Sequence, residues 1–210
     1  MKTWIYLLMT LALTSCVTLR PTETGTFTDT RDGHVCRWVK LKNQIWMAQN
    51  LDFAIKHAHY FQNDSLYFNQ LGLIYHYSVA EKACPAGWHI PTDDEWGQLE
   101  MAGGMSSSDI TLEGYRGSIS TDFLEKGSTK MNVLFTGIPN EVSPLGREYE
   151  VVRFWTSTSI EKSHFTRNFR LNGSRIGRFL LGNNHEAYIR CIKNDASTEG
   201  LIVDPVTVKK

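Results

Sequence analysis

Apolar and charged residues alternate along residues 34–41 (His-Val-Cys-Arg-Trp-Val-Lys-Leu), the period of a half-buried strand. Asp32-Gly33 is a turn signal before it, Lys42-Asn43 makes a tight turn after it, and residues 44–48 return, so the domain opens with a hairpin. Residues 51–76 carry Phe53, Tyr60, Phe61, Tyr67, Phe68 and Tyr75 among Asn, Asp and Gly, which predicts a packed loop region leading to a short helix near 77–82. The sharpest local signal is Pro91-Thr92-Asp93-Asp94-Glu95-Trp96. Thr92 caps a helix, Glu95 reaches back to complete a capping box, the acidic first turn suits the helix dipole, and Gly103-Gly104 ends it. A second short helix is expected over 122–126, stopped by Gly127. Strands follow at 151–155, 164–171, 175–181 and 187–193, with Asn172-Gly173-Ser174 and Gly182-Asn183-Asn184 as turns. A helix-containing half followed by an antiparallel meander predicts an α+β domain with two short helices.

The chain begins with one cation, Lys2, then an apolar run, then small residues up to Cys16. That is the grammar of a secretory signal, and the run is too short for a permanent membrane span. Leu13-Thr14-Ser15-Cys16 resembles the lipobox of bacterial lipoproteins, in which the thiol accepts lipid and the chain is cut just before it. The expected organisation is a signal peptide over 1–15, a lipid anchor at Cys16 with a Thr-rich tether over 16–28, a domain over 29–195 and a tail over 196–210. Val17, standing where an aspartate would favour the inner membrane, points to a lipid-anchored protein of the outer membrane, facing either the periplasm or the cell surface.

Composition places the 210 residues among ordinary globular domains, at 41% hydrophobic and 21% charged. Formal charge sums to zero, so no global field recruits nucleic acid. The charges are nevertheless segregated. Residues 89–150 hold eleven acidic and four basic side chains, a net of −7, and residues 151–210 hold ten basic and five acidic, a net of +5.

Three blocks carry a family resemblance. They are Asp32-Gly33 with Trp38-Val39 and Gln44-Ile45-Trp46-Met47-Ala48-Gln49-Asn50-Leu51; Ala83-Cys84-Pro85-Ala86-Gly87-Trp88-His89-Ile90-Pro91-Thr92-Asp93-Asp94-Glu95-Trp96; and Phe154-Trp155-Thr156-Ser157-Thr158 with Arg190-Cys191-Ile192-Lys193. Together they resemble the Fibrobacter succinogenes major paralogous domain of exported bacterial proteins and lipoproteins. The Gly-Trp-His-Ile-Pro-Thr step and the late Arg-Cys also resemble the C-type lectin-like fold. The calcium motifs of sugar-binding lectins are missing; Ile138-Pro139-Asn140 is the nearest approach and lacks the acid. The resemblance implies a disulfide between Cys84 and Cys191, 107 positions apart, in a compartment where disulfides persist. Cys36 is then a small core residue on the face of Trp38, or the true partner of one of the other two.

No catalytic constellation is legible. The late strands lack the cysteine pair of formylglycine-generating enzymes, and no serine sits in a G-x-S-x-G context. His57 and His59 could face one side of a strand, but spacing nominates no third metal ligand, and neither metal nor cofactor is expected. For ligand binding the basic stretch is the foremost candidate: Arg167, Arg170, Arg175 and Arg178, with Lys162, Arg190 and Lys193 nearby. Pairing of these cations with the acidic segment 89–150 is the competing and favoured expectation. Stacking of sugars on Trp38, Tyr60, Phe61 or Tyr67 is another route, and the loop 137–150 is where a ligand loop is expected. The chain thus reads as a non-catalytic binding or adhesion module for glycan or protein at the outer membrane, with an assembly lipoprotein working inside the envelope as the alternative and an enzyme as the weakest. Metabolic labelling with a fatty-acid analogue is expected to tag the wild type and to fail on Cys16→Ser; an equally tagged variant contradicts the anchor.

Overall fold

A computed structural model describes residues 18–60, 71–135 and 151–194. The signal peptide and Cys16, the side chains of Phe61 and Tyr67, the loop 137–150 and the tail lie outside the described residues. Among the described residues no helix is long and apolar enough to cross a membrane.

The alternating segment forms the centre of a first sheet. β2 (Val35–Leu41) turns through Lys42, at φ 54°, into β3 (Gln44–Met47). The expected tether is corrected here. Glu23–Thr28 forms β1, antiparallel to β2 in the register Gly25↔Trp38 and Phe27↔Cys36, and Leu19 is already buried. The threonines that read as a spacer suit an edge strand equally well, because β-branched side chains pack on a pleated surface. Trp38 lies across Gly25, where an added Cβ would meet the indole at 2.5 Å. The sheet is completed by β5 (Trp88–His89) and β11 (Ile192–Lys193), in the order β1-β2-β3-β11-β5. Its two edges approach each other: Phe27 of β1 stacks on Trp88 of β5 with centroids 4.6 Å apart.

The second sheet runs β4 (Ile74–His76), β10 (Glu186–Tyr188), β7 (Val151–Ile160), β8 (Ser163–Arg170), β9 (Ile176–Gly182) and β6 (Gly114–Arg116). The late strands form the expected hairpins β7–β8 and β8–β9, but the meander does not continue: after the 182–184 turn β10 pairs with β4 and β7 and not with β9. Two expectations change. The single strand expected over 187–193 divides, so that β10 joins the second sheet and β11 the first. β10 also pairs parallel with β7, at Tyr188↔Phe154, so the sheet is not purely antiparallel. Ile189, Arg190 and Cys191 therefore form the seam between the sheets.

Two short helices lie wholly within the described residues, α1 (Tyr77–Ala80) and α2 (Asp93–Ala102). The helix expected over 122–126 is instead a 3-10 turn at Ser120–Phe123. Thr129 Oγ1 donates to the Asp122 carbonyl at 2.7 Å, which closes the segment before a second helical turn can form. In α2 the capping box is complete: Thr92 Oγ1 accepts from the Glu95 amide at 3.0 Å, and the Thr92 amide donates to Glu95 Oε2 at 2.7 Å. Trp96 carries this helix between the two sheets. Its ring lies 4.7 Å from Trp46 of β3, 6.1 Å from Phe154 of β7 and 6.3 Å from Phe169 of β8. A second apolar cluster gathers Met47, Leu51, Tyr75, Tyr77, Trp155 and Ile189 on the other face of β7. Burial on both faces explains why Val152-Arg153-Phe154-Trp155 shows no clean period of two.

The Cys84–Cys191 disulfide forms, with Cα atoms 6.0 Å apart, and Cys36 stays a buried free thiol. The bond ties the turn before β5 to the seam, across 107 positions. Replacing both cysteines by alanine is expected to lower the unfolding free energy by about 2–4 kcal/mol in a denaturant titration. A loss below about 0.5 kcal/mol contradicts a structural role.

Candidate functional site

The two oppositely charged segments meet at α2. Asp93 and Glu100 lie seven residues apart, two turns along one face of the helix. Arg167 of β8 reaches both: Nη1 donates to Asp93 Oδ1 at 2.6 Å and Nε donates to Glu100 Oε1 at 2.7 Å. Arg178 of β9, directly opposite Arg167 in register, donates to Asp93 Oδ2 at 2.7 Å through Nη2 and covers the Phe165 ring at 3.7 Å. Arg116 of β6 donates to Glu100 Oε2 at 2.7 Å. Arg167 and Glu100 are wholly buried. Burial works against the Asp93 carboxylate, but the guanidinium groups of Arg178 and Arg167 prevail and hold its pKa below the ordinary value.

This arrangement removes Arg167 and Arg178 from the candidate ligand-binding residues. Arg167 and Arg178 point inward and are consumed by α2, because β8 is buried along most of its length and its arginine must find an acid there. Arg170 lies over the Tyr115 ring at 4.4 Å, and Arg175 is exposed. The four do not form one ligand-binding face; the acidic segment takes two of them, as the competing expectation had it.

The histidines are likewise drawn into structure. His57 is exposed at φ 70°, while His59 Nε2 lies 3.5 Å from Glu186 Oε2, and His76 Nε2 lies 2.9 Å from Glu186 Oε1. The cluster ties β10 to β4 and to the loop before it; among the described residues no group of three His, Cys, Asp or Glu is placed to hold a metal. His89 bridges Glu95 at 2.9 Å and Asn194 at 2.6 Å, fastening β5 to the capping box. Burial first, then the charges of Asp52 and Asp29, push the Cys36 thiol up to about 12, which disfavours its thiolate.

A cavity of about 580 Å³ opens beside β2 and the segment that follows β3. Its polar wall is formed by Arg37, Gln49, Asn50, Asp52, Glu125 and Asn132, and its apolar wall includes Phe135. The volume falls in the range of small-molecule sites. The lining is held in place by the sheets. Arg37 Nε donates to Gln49 Oε1 at 3.3 Å. Asn50 Nδ2 donates to the Leu71 carbonyl at 2.8 Å, and its Oδ1 accepts from Arg190 on the seam. Asp52 pairs with His34 at 2.9 Å, and burial raises its carboxyl above the ordinary range. Gly72, at φ 72°, leaves room that no other residue leaves, since a Cβ there would meet the Leu51 carbonyl oxygen at 2.6 Å. Sequence reasoning missed this site. Gln49 and Asn50 stand within one of the family blocks, and nothing in their spacing marks them as lining a cavity.

The low Asp93 pKa has a measurable consequence. The unfolded carboxyl titrates near 3.8, so its stabilisation is complete above that value and is lost as pH falls through the lower folded value. Stability is therefore expected to fall with pH below about 4, and Asp93→Asn to flatten that fall while lowering stability at neutral pH. An unchanged acid limb in the variant contradicts the assignment.

Comparisons with curated proteins and with solved structures found no match. The family model described as the Fibrobacter succinogenes major domain matches residues 39–193, from the middle of β2 to the end of β11, and the chain belongs to that family.

Proposed function

We propose that this chain is a non-catalytic glycan-binding module, lipid-anchored through Cys16 at the bacterial outer membrane, with the cavity beside β2 as its binding site. The observation that carries the reading is the cavity lining. Gln49, Asn50 and Asn132 offer amide donors and acceptors, Asp52 and Arg37 add charged ones, and Phe135 supplies an aromatic wall. Sugars ask for that combination: many hydroxyl groups to pair in fixed directions, and one apolar ring face to cover. The amides are preorganised, since Asn50 is held from both ends before any ligand arrives. A C-type lectin-like architecture is part of the same proposal. It is supported by the capped helix after the Pro-Thr step and by the pairing of the last strand with an early one, Ile192↔Trp46.

The full-length lipoprotein in detergent is expected to bind a subset of a glycan array. Gln49→Ala and Asn132→Gly, the latter keeping the positive φ of 56° at that position, are expected to weaken the best ligand about fivefold to tenfold each without changing the melting temperature. A blank array, or variants that bind as tightly as the wild type, contradicts the reading.

A further inference from the structure

Arg190 differs from three buried arginines of the second sheet. Arg116, Arg167 and Arg178 each reach a carboxylate. Arg190, only 1% exposed, donates Nη1 to the Met131 carbonyl and Nη2 to Asn50 Oδ1, both neutral acceptors. Its Nε has no partner, and the ring of Phe154 lies 5.1 Å from its guanidinium carbon. Burial of a cation costs several kcal/mol unless an anion compensates it. Where the described part of the chain provides none, a ligand can.

Position decides what kind. Asn50, which holds Nη2, lines the cavity, and the Met131 carbonyl that holds Nη1 directly precedes Asn132 on the same wall. The positive charge therefore sits one amide behind the cavity surface. Arg37 lines the cavity itself, and its charge adds to burial in bringing the Arg190 guanidinium down to about 9. Two carboxyl groups oppose these cations. Asp52 is engaged by His34, and Glu125 is exposed.

We infer that the cavity is built for a sugar bearing a carboxylate, with the anionic group placed at the Arg37–Asn50 wall over Arg190 and the hydroxyls facing the remaining amides. The inference rests on the glycan reading above and adds the charge of the ligand to it. A bound carboxylate completes the charge balance around Arg190 and takes the donor groups of Arg37 that Gln49 leaves free.

The test uses paired probes on the full-length protein in detergent: galacturonic acid oligosaccharides, and the same oligosaccharides with every carboxylate methyl-esterified. Titration calorimetry is expected to show the acid form binding at least about tenfold tighter than the ester at low salt, with the ratio shrinking as salt is added. In Arg37→Gln the acid-to-ester ratio is expected to fall toward one. Asn50→Asp, which gives Arg190 a carboxylate of its own in the same volume, is expected to abolish the preference as well. If Asn50→Asp fails to fold, the Arg37→Gln ratio decides alone. Equal binding of acid and ester, or an acid preference that survives Arg37→Gln, overturns the inference and leaves the glycan reading standing. Binding of neither probe, together with a blank glycan array, removes the glycan reading itself.

Discussion

A guanidinium group cut off from water, that of Arg167, bridges two carboxylates on one helix, and the relation between α2 and the second sheet depends on it. Asp93 and Glu100 are two helical turns apart, so a single arginine can satisfy both only if the helix axis lies at one height and one rotation over β8. Arg178 and Arg116 repeat the constraint from β9 and β6. Such a buried network adds little net stability over apolar side chains of the same shape, but breaking one member costs about 3–5 kcal/mol because it strands a charge. What it contributes is position. With α2 fixed, Trp96 enters between Trp46 and Phe154, and the two sheets are held at a common core.

The seam follows from that arrangement. Between β10 in one sheet and β11 in the other, Ile189, Arg190 and Cys191 cross the core, and each is used. The Ile189 carbonyl accepts from the Leu51 amide, the Cys191 carbonyl accepts from the Met47 amide, and the Cys191 sulfur is bonded to Cys84. Arg190 between them fixes Asn50 and the Met131–Asn132 turn. The cavity wall is thus fastened to the most constrained stretch of the chain, and a binding role asks for that kind of rigid support.

Legibility in the sequence followed how local each cause was. The capping box of α2, the Lys42-Asn43 turn and the late hairpins depend on residues within a few positions of one another, and each formed where expected. β1 was lost to a compositional resemblance, since a Thr-rich stretch reads as a spacer until a partner strand appears beside it. The helix expected over 122–126 failed because Thr129, outside the window, holds the turn shut. Charge segregation between residues 89–150 and 151–210 made pairing of the two segments the favoured expectation, but did not show which arginine would be buried. The cavity was the least legible feature, since Arg37, Asn50 and Asn132 are distant in the sequence and come together only in the fold.

The direct test of the central constraint is a double-mutant cycle between Glu100→Gln and Arg167→Met, read as unfolding free energy at neutral pH. A bridge that fixes α2 on β8 predicts single variants that each cost several kcal/mol and a coupling energy of at least about 2 kcal/mol between them. Costs that add to within about 0.5 kcal/mol would show that the two side chains act independently, and would contradict the account of how this fold is held.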